Sequence, residues 1–273
     1  MNKMKRAQFI VMGILAAAVI VCGAILISKL AAKGPNKINA ASEETLFREA
    51  QALEAQGSLS KARDLYQKLI TDYPQGKFAL ENQKLIWDLN IKILFSPNPT
   101  AISKVYEVQA GDTLGKIAKK CVTTVDLVMK TNGLKSSLIR PGMKLKVCTA
   151  KFTIFVDKSQ NTLTLKANDE IFKIYQAATG LDNCTPVGTF KIVTKIVDPT
   201  WYKAGAVVPP GSPKNILGTR WLGLSVQGYG IHGTTEPESM GKQVTAGCVR
   251  MINKDVEELY AIVPIGTDVT AVD

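Results

Sequence analysis

The sequence predicts a multidomain chain: a mainly-β sandwich or barrel at the C-terminal end, preceded by a small βααβ domain, an α-helical hairpin segment and one N-terminal transmembrane helix. Three observations carry this prediction. An apolar run stands near the N-terminus. A helical periodicity gives way to short strand and turn signals after Pro97 and Pro99, and from Lys151 onward β-branched segments alternate with polar turns. The formal net charge of +11 follows the same divisions: residues 1–42 and 104–148 each carry +6, residues 43–103 carry −1, and residues 151–273 balance to zero. Anionic lipid or an anionic cell wall would be drawn to the two basic regions. A nucleic-acid partner is not expected, because it needs basic residues interleaved with aromatics on one face.

From Phe9 to Ile27 the only side chain that is not hydrocarbon-like is the Cys22 thiol. At 1.5 Å per residue the run spans roughly 28 Å, close to the hydrocarbon thickness of a bilayer. Residues 7–28 are therefore expected to be a membrane anchor, with a cytoplasmic tail at 1–6 made basic by Lys3, Lys5 and Arg6. A cleaved signal peptide is the competing reading, although its apolar region is usually about 7–15 residues long. On either reading the remainder is extracytoplasmic.

Residues 29–42 suit a tether interrupted by Gly34-Pro35. Over 43–94, Leu46, Ala50 and Leu53 share one helical face; Ala62, Leu65, Tyr66, Leu69 and Tyr73 share a second, which Pro74 ends. A third pattern, Phe78, Leu85, Ile86 and Leu89, follows. These helices form a spacer or a docking surface for a protein partner. Residues 95–103 read as a linker. Over 104–148, the strand Val105-Tyr106-Glu107-Val108 leads to a helix capped near Thr113, a second helix capped by Thr124 or Thr123 and stopped at Asn132-Gly133, and a closing strand Lys144-Leu145-Lys146-Val147.

The β-rich region, 149–273, contains His232, the only histidine in the protein, and Cys248. An ordinary thiol is only a few per cent thiolate at neutral pH, so a cysteine that attacks carbonyls needs a base, and His232 is the one imidazole available. Gly247 would let backbone approach a substrate and, with Cys248, offer amide donors to an oxyanion. Arg250 would clamp a carboxylate or hold its own loop. Trp201, Tyr202, Trp221 and Tyr229 are all candidates for cleft walls, Trp221 and Tyr229 being assigned first to the core. Without a C-x-x-C pair and with one histidine, neither a metal nor another cofactor is expected. Cys121 and Cys148 would staple a small domain if bridged. Cys184 is either a plain thiol or a reversible partner for Cys248.

These residues resemble known families. Ile231-His232-Gly233-Thr234 followed by Thr245-Ala246-Gly247-Cys248-Val249-Arg250-Met251 resembles the L,D-transpeptidase signature, and Thr185-Pro186-Val187-Gly188-Thr189-Phe190 looks like a further segment of that family. The resemblance implies a Cys248–His232 acyl-enzyme mechanism on peptidoglycan stem peptides, with the Gly233 carbonyl accepting from the second ring nitrogen and Thr245 and Arg250 near substrate. The third-residue carbonyl of a tetrapeptide would be passed to an amine, giving a 3→3 cross-link. L,D-carboxypeptidase or endopeptidase activity, or a non-catalytic wall-binding scaffold, are the alternatives. The family often has histidine where Ala246 stands. Gly111-Asp112-Thr113-Leu114, Thr131-Asn132-Gly133-Leu134 and Pro141-Gly142-Met143-Lys144-Leu145 resemble a lysin motif (LysM) domain, which implies peptidoglycan glycan binding near Gly111, Asp112, Thr113, Leu114 and Asn132. The helical segment resembles one tetratricopeptide-like repeat plus a third helix. Together these resemblances imply a bacterial cell-envelope protein with its catalytic domain outside the cytoplasm.

Overall fold

The computed structural model describes residues 40–203 and 205–273. The anchor expected over 7–28 lies outside them. Among the described residues, no helix is long and apolar enough to cross a membrane.

Three helices come first: α1 (Ala40–Ala55), α2 (Leu59–Asp72) and α3 (Ala79–Phe95). Helix α1 thus begins inside the stretch read as a tether. The apolar faces meet in a core of Phe47, Ala50, Ala62, Tyr66, Leu69, Ile86, Leu89 and Ile93. Glu43 ties the first helix to the third, because its carboxylate accepts from the backbone N–H groups of Lys77 (3.3 Å) and Phe78 (3.1 Å) at the start of α3. Those donors have no partner within the helix and favour a negative charge.

The βααβ region follows as β1 (Ser103–Glu107), α4 (Leu114–Lys120), α5 (Val125–Thr131) and β2 (Lys144–Cys148), with β1 and β2 antiparallel. Thr113 and Thr124 cap the two helices, accepting from Lys116 N at 3.2 Å and Leu127 N at 2.8 Å. The expected Cys121–Cys148 bridge is not formed; both thiols are free and buried. Strand alternation is the cause. Leu145 and Val147 face the core of this small domain with Cys121, while Cys148 faces the other way into the core shared with the β-rich region.

That shared core makes α3 a keystone. Ile91 and Leu94 of α3, Leu127 of α5 and Cys148 of β2 pack with residues of the β-rich region. At the C-terminal end of α3 the Lys146 ammonium donates to the carbonyls of Ile93 (3.0 Å), Leu94 (3.3 Å) and Ser96 (2.8 Å). A buried cation is stable there because those carbonyls carry the negative end of the helix dipole. Farther along, Asn90 Nδ2 donates to Phe172 O at 2.9 Å, and Asp88 pairs with Lys173 at 3.0 Å. Thr124 donates to the Ala261 carbonyl, so the βααβ domain also touches the last helix. The helical segment is docked against the rest.

The β-rich region consists of β3 (Phe152–Asp157), β4 (Thr162–Ala167), β5 (Glu170–Gln176), β6 (Thr179–Gly180), β7 (Gly188–Val197), β8 (Trp201–Lys203), β9 (Ala206–Val208), β10 (Arg220–Leu224), β11 (Gly230–His232), β12 (Gln243–Thr245), β13 (Val249–Arg250), α6 (Asn253–Ile262) and β14 (Asp268–Val272). Eight strands form one curled sheet in the order β13-β11-β10-β7-β14-β3-β4-β5. The mainly-β architecture expected as a sandwich or barrel is present as a single curled main sheet rather than two facing sheets, with β11 and β13, and β14 and β3, parallel. Helix α6 explains the difference. Val256, Leu259 and Ile262 bury against Leu222, Ile231 and Met251, covering a sheet face that a second sheet would otherwise cover. Lys195 fastens the far end of α6, donating to Tyr260 O (2.6 Å) and Val263 O (2.8 Å). Burial pulls its pKa down to about 8.

Candidate active site

His232 ends β11 and Cys248 immediately precedes β13. Parallel pairing of these strands, with His232 opposite Arg250 and the Met251 N–H donating to His232 O at 2.9 Å, brings the two residues together across the sequence. Cys248 is two residues before Arg250, the partner of His232, so the pairing carries the thiol to the strand that holds the imidazole. Among the described residues no hydrogen bond joins sulfur to imidazole. The thiol donates to Gly228 O at 3.7 Å instead.

The imidazole is closely held. Its Nδ1 lies 2.7 Å from Gly233 O, and a carbonyl only accepts, so Nδ1 carries the proton and Nε2 is left as the base. Trp221, the cross-strand partner of His232, stacks on the ring with centroids 5.9 Å apart and planes 17° from parallel. Burial, more than any other cause, lowers the His232 pKa to about 4; the Gly233 carbonyl opposes this and Arg250 adds to it. Burial likewise pushes the Cys248 thiol up, against the Gly230 amide and the Arg250 charge, which favour thiolate. The resting pair at neutral pH is a neutral imidazole and a neutral thiol.

The turn into Cys248 is shaped by Thr245, whose hydroxyl donates to Cys248 O at 2.7 Å and accepts from Gly247 N at 3.1 Å. The Gly247 amide, expected at an oxyanion, is thus given to Thr245. Gly247 itself has a φ of +117°, and a Cβ on it would lie 2.6 Å from the Tyr229 ring. Tyr229, assigned to the core from sequence, therefore touches the reactive turn.

Arg250 is put to a different use from a substrate clamp. It is buried, and its guanidinium pairs with Glu236 (2.6 Å) and Ser239 Oγ (3.1 Å), tying down the loop between His232 and Thr245. Trp201 and Tyr202 lie on the β8–β9 hairpin, which leaves the sheet at the Val197–Arg220 pair, the same end as His232; Tyr202 is 75% exposed. Cys184 is exposed and reaches the same turn, its sulfur 3.9 Å from Thr245 O. Ala178 bridges Arg250 by two 2.8 Å hydrogen bonds, which carries the segment leading to Cys184 along the β13 edge. Among the described residues no group of three His, Cys, Asp or Glu could hold a metal.

In the LysM domain, Gly111 is open to solvent, but other expected glycan contacts have internal partners. Leu114 is core. Asn132 spends its side-chain amide on Lys146 N, Lys146 O and Val128 O, each at 2.8 Å, and Asp112 accepts from Tyr106 OH (2.8 Å) and Gln109 N (2.9 Å). Thr113 is used as the α4 cap. Polar side chains next to helix ends and turns are claimed first by orphan backbone groups. Trp221, a wall or core candidate from sequence, is the platform of the imidazole, a role that only its pairing register reveals.

A free thiol two residues before Arg250, the strand partner of a buried imidazole on a curled β-sheet, together with a βααβ module, makes up the candidate site. The profile of the L,D-transpeptidase catalytic domain (YkuD) matches residues 151–270, and that of the LysM domain matches 106–147. The chain is 39% identical over 173 residues to the Bacillus subtilis protein named "Putative L,D-transpeptidase YkuD", covering 60% of this chain and 96% of that one. It is 39% identical over 126 residues to "Putative L,D-transpeptidase YqjB" of the same organism, covering 44% of this chain and 70% of that one. A solved L,D-transpeptidase from Mycobacterium smegmatis aligns with 48% of this chain and 64% of its own at 20% identity, with a TM-score of 0.39. The chain belongs to the L,D-transpeptidase family.

Proposed function

We propose that this protein is a cell-envelope peptidoglycan L,D-transpeptidase that works through a Cys248 acyl-enzyme, with the LysM domain binding the glycan. The observation that carries the reading is the β11–β13 pairing, which sets Cys248 beside an imidazole whose Nδ1–H is held by Gly233 O. Because both groups rest neutral, the thiol proton passes to His232 Nε2 as sulfur attacks the carbonyl of the third stem residue. The Cys248 amide is the oxyanion donor we assign, since that of Gly247 serves Thr245. Collapse of the intermediate expels D-alanine, which takes the proton from His232. An acceptor amine then attacks the thioester, gives its proton to His232 and releases the cross-linked product with the Cys248 thiol restored. Trp201 and Tyr202 are assigned to the wall on the acceptor or donor side.

The N-terminal run would tether this machinery to the membrane, and the docked helices 43–94 would hold the LysM and catalytic domains in a fixed relation. The test is product analysis: incubation with disaccharide tetrapeptide should yield 3→3 dimers and free D-alanine. Tripeptide without dimers would instead assign carboxypeptidase activity. Cys248→Ala should abolish both products while sacculus binding persists; turnover by that variant refutes the thiol mechanism.

A further inference from the structure

Asn253, the first residue of α6, lies two positions past the signature and has no role in the mechanism so far. Its Oδ1 accepts from two backbone N–H groups, Thr234 at 3.0 Å and Thr219 at 3.2 Å. The Thr234 N–H belongs to the same peptide unit as the Gly233 carbonyl, and that carbonyl accepts from His232 Nδ1–H at 2.7 Å. One peptide group thus joins the imidazole to the asparagine, accepting at one end and donating at the other. Hydrogen bonds in such a chain polarise one another, and a peptide fixed at both ends cannot rotate its carbonyl away from the ring.

The surroundings are cut to fit this oxygen. A Cβ at Gly233 or at Gly218 would each stand 2.2 Å from Asn253 Oδ1, and at Gly218 it would also meet Thr234 N at 2.4 Å. Two glycines therefore open the space through which α6 reaches the peptide, while buried Val256 and Leu259 anchor the helix.

We propose that Asn253 is a positioning residue for the transferase reaction, acting through the Gly233–Thr234 peptide to keep His232 in the Nδ1–H tautomer with Nε2 turned to Cys248. This rests on the reading of His232 as the base. It gives the Cys–His pair a third member, with a peptide group between His232 and the side chain that orients it.

The test uses the single histidine. With the full chain labelled at histidine nitrogen, the imidazole shifts report the tautomer directly, and D-alanine release gives kcat and KM. Asn253→Asp keeps an acceptor oxygen in place and should stay within about threefold of wild-type kcat, with the Nδ1–H tautomer retained. Asn253→Ala should lower kcat by about 10- to 100-fold with KM little changed, and should show a mixed-tautomer spectrum. If the alanine variant does not fold, Asn253→Ser, too short to reach both amides, takes its place in the comparison. An unchanged tautomer and kcat in folded Ala or Ser variants overturns the proposal. So does an Asp variant as impaired as they are. The tautomer is read without turnover, so an inactive wild-type protein would refute the proposed reaction while this positioning role was still decided by the spectra.

Discussion

In the LysM domain, Gly111, Gly133 and Gly142 adopt φ of +82°, +63° and +85° with open space where a Cβ would stand, whereas Gly180, Gly230 and Gly233 around the candidate site would each bring a Cβ within 2.6 Å of a neighbouring atom. The same residue type answers two different demands. In the glycan-binding module glycine supplies turn conformations and leaves the surface free, as a domain that lies along a polymer requires. In the catalytic region it lets backbone segments touch, because the imidazole, the thiol and their supports must be packed to a fixed geometry. Burial follows the same division: His232 and Arg250 are enclosed, while Gly111 and the loop tip at Leu138 are exposed.

The contrast is broken most directly by Gly233→Ala. The new methyl meets Asn253 Oδ1 at 2.2 Å and Thr219 N at 3.0 Å, and the asparagine oxygen, held by the Thr234 and Thr219 amides, can move away only by giving up those bonds. A loss of about 2 kcal/mol in stability is expected from the overpacking. Displacement of the carbonyl that holds His232 should lower kcat about 100-fold, since misplacing a catalytic group by ~1 Å has effects of that order. Thermal melting and D-alanine release measure both; activity within tenfold of wild type would show that the carbonyl does not depend on this close approach.

Packing also has a pH signature. The His232 pKa is about 4 in the folded protein against 6.5 for an exposed histidine. Between these values the unfolded chain binds a proton that the folded chain refuses, so the stability present above pH 6.5 is lost as pH falls towards 4, by roughly 3 kcal/mol in all. Urea unfolding of wild type and His232→Gln across this window should diverge, with the variant losing less. Parallel curves would mean that the imidazole is not buried as described.

How far the sequence discloses this arrangement depends on the range of each interaction. Cys248 and His232 are legible because thiol chemistry requires a base and the chain holds a single histidine. The helix caps at Thr113 and Thr124 are legible too, as each bonds within three residues of itself. Arg250 is legible only as a choice between clamp and loop anchor, since the partners that decide it, Glu236 and Ser239, arrive once the intervening loop has folded back. Alternation with Val147 turns Cys148 away from Cys121, yet only the docking of α3 decides that its face meets the core of the β-rich region. Asn253 reads as an ordinary helix start. Its contacts span 19 and 34 residues and exist because two distant glycines make room.

The mildest test lies at the open end of the contrast. At Gly142 an added methyl meets nothing within 4 Å, so the only cost of Gly142→Ala is the left-handed backbone at φ +85°. That cost is about 1 kcal/mol, half the figure expected for Gly233→Ala and of different origin. Replacement by Asn, which tolerates the left-handed region through its short polar side chain, should recover part of the loss. No such recovery is available at Gly233, where Asn adds bulk to a space already filled. Denaturant midpoints for Ala and Asn at both positions therefore separate conformation from contact. If Asn helps equally at 233 and 142, the two glycine classes are one.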